Sequence, residues 1–454
     1  MIAARLSQLC SPLKAELIGS DTGFSSVSTD TRSIAPGDLF VALQGPNFDG
    51  HDYLETARER GAAAVMVSRP PPAGMSALLV KDTRIGLGRL ARRWRELGHA
   101  SLIAVTGSNG KTTVKEMIAA ILGRRGSVLA TRGNYNNDVG LPLTLLRLQD
   151  QDFAVLEMGA NNPGEIAYLS GIATPDIALI TNAGRAHLEG FGTLQGVARA
   201  KGEILEGLKP GGCFVVNADD AWADFWRQQA GGRRLLTFGV DCPADVSSPQ
   251  SALSLQWSDS GFISRFPVST PNGSGEIELK LAGNHNRMNA LAAIAAAQAA
   301  GAGWDDIQAG LALLAPVPGR LQPLPGRNGV GLINDTYNAN PDSVNAAIEL
   351  LATAPGRRYL VLGELAEMGA DAAAFYQEMG GYAIASGIDK VYALNGAAQA
   401  VSQLGQKGQR FTSLQQLLER LNSELQPGDR VLVKGSRVAA MERVVQALGA
   451  GGEA

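Results

Sequence analysis

Residues 101–118, SLIAVTGSNGKTTVKEMI, constrain the fold of this chain more than any other stretch. An apolar, β-branched run over Leu102, Ile103, Ala104 and Val105 stops at Thr106, a loop of small residues follows, and an amphipathic segment begins at Thr113. The order is strand, tight loop, helix. Gly107 and Gly110 open backbone angles closed to other residues, so consecutive N–H groups turn inward on an anion while the following helix adds the positive end of its dipole. Lys111 offers a point charge to the β- and γ-phosphates of a nucleotide, and Thr112 offers a hydroxyl to Mg²⁺. Only the GxxGKT half of the common phosphate-loop pattern is present, because Val105 stands where that pattern has its first glycine. A tight turn with a surface lysine is the alternative that the flanking strand and helix must outweigh.

The chain has 454 residues, which on domain size alone means roughly two to four domains with ample core. Lys and Arg number 40 against 43 Asp and Glu, a net charge of −3, so there is no basic surplus to drive binding to nucleic acid or an anionic membrane. A local basic pocket for a phosphorylated substrate remains compatible with that balance. Cys10, Cys213 and Cys242 are scattered and lack CxxC spacing, which argues against a disulfide framework and for a reducing cytoplasm. The opening MIAARLSQLCSPLKAELIG reads as a short amphipathic helix without the features of a signal peptide, and no apolar run reaches the ~18 residues of a membrane span. Alanine-rich helical stretches alternate with short β-branched runs, the pattern of α/β architecture with parallel sheets.

Three units follow from composition and strand pattern. Residues 1–82 form a small α/β domain ending near the proline-rich SRPPPAG and the strand-like ALLV. Its polar loop VSTDTRSIAPGDLFVALQGPNFDGHDYL is a place for binding residues, although Asp30, Thr31 and Arg32 equally suit an ordinary turn. Residues 83–312 form the largest domain, with a central P-loop ATPase-like parallel sheet. In it the strand Phe153 to Leu156 ends in Glu157, and the run Ile177 to Ile180 leads to His187, which brings both side chains to the sheet edge that carries the loop. Asn134, Asn136 and Asn137 make an uncharged amide cluster, and Asn286 and Asn289 share one face of an alanine-rich helix. Lys201 falls on a helix, where most lysines are solvated. Residues 240–280 read as a hairpin extension. Residues 313–454, beginning around the proline-rich PVPGRLQPLPG, form a Rossmann-like domain whose strands deliver Asp335, Asn338, Asn340, Lys434 and Ser436 to loops.

TGSNGKTT, NYNN, AHLEGFG with AKGE, GNHNRMNALAA, NDTYNANPDS, LGELAEMG and VLVKGSRVAAMERVV occur together and in this order. In that combination the chain resembles the Mur ligases of bacterial cell-wall synthesis over essentially its whole length. The resemblance implies an N-terminal domain for the UDP end of the substrate, a central ATPase and a C-terminal domain that closes over the nucleotide. NDTYNANPDS and VLVKGSR imply the member of the family that uses ATP to join D-alanyl-D-alanine (D-Ala-D-Ala) to UDP-N-acetylmuramoyl-tripeptide through an acyl phosphate. A sibling that adds a diamino acid and a folate polyglutamate ligase both share the ATPase core, and the former would carry an arginine in the loop that here reads NANPDS. A nucleotide switch or a kinase is the alternative from another class.

Residue by residue, the resemblance implies that Thr106, Gly107, Ser108, Asn109, Gly110, Lys111, Thr112 and Thr113 hold the ATP phosphates. Thr112 and Glu157 would bind one Mg²⁺, and His187 with a carbamylated Lys201 a second. Asn286 and Asn289 match adenine contacts; Arg320 and Asp335 match phosphate and ribose contacts. Ser28, Asp30, Thr31, Arg32, Asn47, Asp49, Gly50 and His51 match a region near the UDP-sugar, Asn134, Asn136 and Asn137 belong to the substrate set, and Asn338, Asn340 and Ser343 are candidates for the dipeptide end. A monomer is expected, with no nucleic acid partner. Arg185 and the pair Arg287–Met288 depart from the apolar or smaller residues that the resemblance leads one to expect.

Overall fold

The computed structural model describes residues 4–258, 261–368 and 372–451. Its centre is the strand Ser101–Thr106. Parallel neighbours flank it in the order Val128–Ala130, Phe153–Glu157, Ser101–Thr106, Ile177–Ile180, Cys213–Asn217, Arg234–Gly239 and Val246–Ser247. These strands read as unbroken apolar runs because both faces of the sheet are covered. Leu102 and Ala104 pack with Leu156, Ile180 and Phe214 on one face, and Ile103 and Val105 with Val155, Leu179 and Val215 on the other. Helices Thr83–Leu97, Glu165–Ala173 and Leu194–Gly202 lie on the first face. Lys111–Leu122, Asn284–Ala299 and Trp304–Ala312 lie on the second.

The chain leaves Phe153–Glu157 on one side of Ser101–Thr106 and next joins the sheet at Ile177–Ile180 on the other side. That reversal opens a crevice at the carboxyl end of the P-loop strand, where open α/β sheets bind ligands. Register places Glu157 beside Val105, and Thr106 beside Ile180, at that same end. The helix after the loop starts at Lys111, two residues before the expected Thr113, because Gly110 takes a left-handed φ of 81° and turns the chain directly into it. The expected hairpin extension is present as antiparallel strands Ser254–Ser258, Gly261–Thr270 and Gly273–Leu279, with residues 259–260 of that stretch outside the described residues.

The N-terminal sheet runs Glu16–Ile18, Ala77–Leu79, Ala64–Val67, Asp38–Val41, Ser26–Ser28, with only the first pair antiparallel. It has no separate boundary in its packing: Leu39, Val41 and Met66 share one core cluster with Leu87, Leu90 and Trp94 of helix Thr83–Leu97 and with Leu102 of the central sheet. Trp94 joins the two, donating from Nε1 to Leu148 O at 2.9 Å and stacking on Phe24 at 6.4 Å between centroids. The C-terminal sheet runs Gln322–Pro325, Gly331–Asp335, Arg430–Lys434, Arg358–Leu362, Lys390–Leu394, Gly408–Phe411, parallel after its first pair. The proline-rich stretch read as a bare boundary thus contains a strand. Pro323 and Pro325 are tolerated because Gln322–Pro325 is an edge with one partner. Of the LGELAEMG stretch, Gly369 lies outside the described residues. Among the described residues no helix is long and apolar enough to cross a membrane.

Candidate active site

The carboxyl ends of the central and C-terminal sheets face each other across a cleft of about 1170 Å³. The P-loop forms its floor. Gly107 (φ 146°) and Gly110 (φ 81°) have backbone angles that L side chains rarely adopt, and a Cβ would strike Thr181 Oγ1 at the first and Asn289 Oδ1 at the second. The loop between them is tied to the segment after Ile177–Ile180: Asn109 N donates to Asn182 Oδ1 at 2.9 Å, and Thr181 Oγ1 donates to Asn109 O at 2.6 Å. Ser108 Oγ donates to Gly184 O at 3.1 Å, and buried Thr106 donates to Met158 O at 2.9 Å. Lys111 Nζ donates to Gly107 O at 2.7 Å and Ser108 O at 3.2 Å. Desolvation pushes its pKa down, against the pull of Glu157.

Beside it, Thr112 Oγ1 donates to Glu157 Oε2 and Asn136 Nδ2 to Glu157 Oε1, both at 2.8 Å. One buried carboxylate therefore joins the P-loop helix to the amide cluster. Asn137 Oδ1 accepts from Gly140 N at 2.8 Å, just before the helix Gly140–Leu145, while Asn134 lines the cleft. Thr113 is buried in the P-loop helix at its edge. Asn286 and Asn289 are buried together on helix Asn284–Ala299, Asn289 Nδ2 donating to Asn286 Oδ1 at 3.1 Å behind Gly110.

The C-terminal sheet supplies the opposite wall. Arg320 Nη2 donates to Thr112 Oγ1 at 2.9 Å, with its guanidinium 4.2 Å from the Tyr337 ring centroid. Asp335 is held by Lys434 Nζ at 2.5 Å and by Leu321 N at 3.1 Å, and Lys434 also donates to Asn338 O at 3.1 Å. Asn340 caps helix Pro341–Ala352 by accepting from Ser343 N at 2.9 Å, and its Nδ2 reaches across the cleft to Asn109 Oδ1 at 2.8 Å.

His187 and Lys201 stand apart from these. His187 (φ 55°) is paired through Nδ1 with Glu367 of the C-terminal unit, itself left-handed at φ 59°. Desolvation lowers the imidazole pKa, with Glu367 pulling the other way. Lys201 is 1% exposed, sits 5.1 Å over the Phe191 ring and is not among the cleft-lining residues. Burial, then the charge of Lys111, push its amine down to about 7.

None of the N-terminal candidates lines this cleft. Ser28 Oγ donates to Asp30 O at 2.9 Å. Asp30 caps the turn Thr31–Ser33 and grips Arg32, whose hydrogen bonds hold its carboxyl down to about 2. His51 is buried and has both ring nitrogens engaged, Nδ1 with Asp49 Oδ1 at 2.6 Å and Nε2 accepting from Ser68 N at 2.9 Å. Gly50 is packed against the backbone of Ala42 and Leu43, while Asn47 is exposed. Asp30 with Arg32, and Asp49 with His51, thus pair within this part of the N-terminal unit.

Several cleft residues carried no signal in the sequence. Arg185, noted only as a departure, donates from its backbone N and its Nε to the two Asp342 carboxylate oxygens at 2.6 and 2.7 Å, and pairs with Glu378 at 3.0 Å. Its partners are too distant in the chain to be inferred from spacing. Arg287 is buried and donates to Pro249 O at 2.8 Å and Gln250 O at 3.2 Å, which pins the chain before the hairpin extension, and Met288 lines the cleft. Tyr337, Glu367 and Arg437 also line it; each sits within a motif already quoted, yet only the fold shows which way it faces.

Family models match in three consecutive parts: the Mur ligase family catalytic domain over residues 24–95, the Mur ligase middle domain over 105–297, and the Mur ligase glutamate ligase domain over 319–437. The UDP-N-acetylmuramoyl-tripeptide–D-alanyl-D-alanine ligase of Escherichia coli (strain K12) is 45% identical, with 99% of each chain covered. Among solved structures, MurF from Acinetobacter baumannii superposes with a TM-score of 0.91 at 34% identity, covering 98% of each chain. MurF from Thermotoga maritima in complex with ADP gives 0.84 at 31%, covering 93% of this chain and 96% of that one. A likeness that runs the full length of both chains and extends through every sheet places this protein in the Mur ligase family.

Proposed function

We propose that this chain joins D-Ala-D-Ala to the terminal carboxylate of UDP-N-acetylmuramoyl-tripeptide at the expense of ATP. The observation that carries the reading is the cleft itself, in which Lys111, Thr112 and Glu157 of one sheet face Arg320, Asn338 and Asn340 of the other. The full-length relatives named above supply the substrates. A carboxylate is a poor acyl donor because its own oxygen is a poor leaving group. Its oxygen attacks the γ-phosphorus, the bond to the β-phosphate oxygen breaks, and ADP leaves an acyl phosphate. The dipeptide amine then attacks the acyl carbon, inorganic phosphate departs, and the amide of UDP-N-acetylmuramoyl-pentapeptide remains.

The work of the protein is positioning and charge neutralisation, since several anionic oxygens must meet. Lys111 leaves the loop carbonyls for the β- and γ-phosphates, and the N–H groups of Gly110, Lys111, Thr112 and Thr113 at the helix start face them, while those of Ser108 and Asn109 stay on Asn182. Arg320, already on Thr112, neutralises phosphate charge from the other side. Asn286 and Asn289 face the adenine, and Asp335 the ribose. The Thr112 hydroxyl and the Glu157 carboxylate are adjacent hard oxygens, a donor set suited to Mg²⁺, which takes few protein ligands beside phosphate and water. His187 and a carbamylated Lys201 would hold a second ion. Bound there, Mg²⁺ supplies charge neutralisation to the phosphate oxygens. An amine pushed down to about 7 is neutral in a substantial fraction near neutral pH, the form that adds CO₂ to give a carbamate and a proton, whereas one at the ordinary 10.5 is almost wholly protonated.

Residues 1–82 would hold the UDP end, 83–312 the ATP, and 313–454 the dipeptide as it closes over the nucleotide. Asn134, Asn136 and Asn137 face the tripeptide; Asn338, Asn340 and Ser343 face the dipeptide. The working unit is a monomer, and free Cys10, Cys213 and Cys242 suit a cytoplasmic enzyme. The test is phosphate release from ATP with each substrate omitted in turn. Release that needs both the tripeptide and D-Ala-D-Ala is expected; release from ATP alone, unchanged by either, would overturn the proposal.

A further inference from the structure

D-Ala-D-Ala carries a free carboxylate, and the loop 338–343 that faces it contains no basic residue. A cation to pair with it would come from elsewhere on the cleft wall. The basic side chains that line the cleft are Lys111, Arg185, Arg320, Lys434 and Arg437, with the imidazoles of His187 and His285. Lys111 and Arg320 are at the nucleotide end, on the P-loop carbonyls and on Thr112. Arg185 is saturated by Asp342 and Glu378. Lys434 is buried against Asp335 and Asn338. Burial pushes His285 down to about 4, so it is neutral, and His187 is taken by Glu367.

Arg437 differs from all of these. Its side chain is 72% exposed, and the ion pair given for it is a loose one with Glu442 at 3.4 Å. Exposed pairs of that kind contribute little and are readily shared with a second anion. The topology puts it in the right place. Strand Arg430–Lys434 lies between Gly331–Asp335 and Arg358–Leu362, all parallel. The loop bearing Arg437 therefore emerges between the loop bearing Asn338 and Asn340 and the loop bearing Glu367. Ser436 fixes it, donating from both Oγ and N to Glu364 O at 2.7 and 2.8 Å. Next to the guanidinium, Val438 is 81% exposed into the same cleft, an apolar surface of a size to meet a methyl group.

We infer that Arg437 binds the terminal carboxylate of the dipeptide and so selects an acceptor with a free acid end. The inference rests on the proposed function. Its test compares D-Ala-D-Ala with its C-terminal amide as acceptors for wild type, Arg437→Ala and Arg437→Lys, with hydroxylamine trapping of the acyl phosphate as a control. Wild type should favour the acid by about 30-fold in kcat/KM, the value of a charge-assisted hydrogen-bond pair. Arg437→Ala should lose that preference, with KM for the acid raised and KM for the amide unchanged, and Arg437→Lys should recover part of it. All three should form tripeptide hydroxamate at the same rate, which shows an intact fold and first step. An Arg437→Ala enzyme that still prefers the acid would overturn the inference. So would a wild type that turns over acid and amide equally. A wild type that forms no hydroxamate and uses no D-Ala-D-Ala would instead overturn the proposed function.

Discussion

At the scale of single residues, two lysines have opposite surroundings, Lys111 lining the cleft and Lys201 buried outside that lining. Lys111 keeps its ammonium on the carbonyls of its own loop, at 2.7 Å from Gly107 O, where an arriving phosphate only has to displace neutral acceptors. Lys111→Ala is expected to lower kcat by about 10³-fold, the cost of losing a preorganised charge at a transition state, and steady-state phosphate release measures it. Lys201 is buried so deeply that its amine titrates near 7 rather than at the ordinary 10.5. Below pH 7 the protonated amine has no lone pair for CO₂; above it the neutral amine does. Activity in CO₂-depleted buffer should therefore be low and should rise on adding bicarbonate, more strongly at pH 8 than at pH 6, with intact mass reporting one added CO₂. Lys201→Ala should cost about 10- to 100-fold in activity and abolish the bicarbonate response. Lys111 was legible in the sequence because a loop motif names it. The depression of Lys201 was not, because it comes from burial and from the charge of Lys111, which the fold and not any spacing brings near.

At the scale of elements, the strand–loop–helix unit depends on a left-handed turn at Gly110, which also leaves room for Asn289. Gly110→Ala should destabilise the protein by about 1–2 kcal/mol in chemical denaturation, the penalty of a left-handed alanine, and weaken ATP binding in calorimetry because the Asn289 carboxamide must move. The carboxyl-terminal strand ends were readable: the runs stopping at Thr106, Glu157 and Ile180 come out side by side in register. Less readable was Gln322–Pro325, since its prolines suggest a linker until the sheet shows it to be an edge. The turn around His51 shows the limit in another way. Its polar residues drew a binding role by resemblance, while the fold spends the ring nitrogens on Asp49 and Ser68.

For the whole molecule, the C-terminal unit rests on the central one through polar contacts: Arg185 with Asp342 and Glu378, Asn340 with Asn109, Arg320 with Thr112. Replacing Arg185 by Ala removes the guanidinium's pairs with Asp342 and Glu378 and leaves only the backbone N–H on Asp342. Small-angle scattering should then show a larger radius of gyration without ligand, returning to the wild-type value on adding an ATP analogue and tripeptide; an unchanged radius would show that Arg185 does not set the resting closure. These pairs were hidden from the sequence, for Arg185 and Asp342 are 157 residues apart. The apolar packing is organised differently. Leu39, Met66, Trp94 and Leu102 belong to one cluster, so the first two units are expected to melt in a single calorimetric transition, whereas the C-terminal sheet packs in two other clusters, one of which takes in buried Phe262 and Ala282 from the central unit. The same feature decides where two relatives of this chain could be recombined. A crossover within residues 313–318 would exchange the C-terminal unit, leave the large cluster whole and re-pair buried Phe262 and Ala282 with new neighbours. A crossover at residue 82 would pair mismatched halves of one interior.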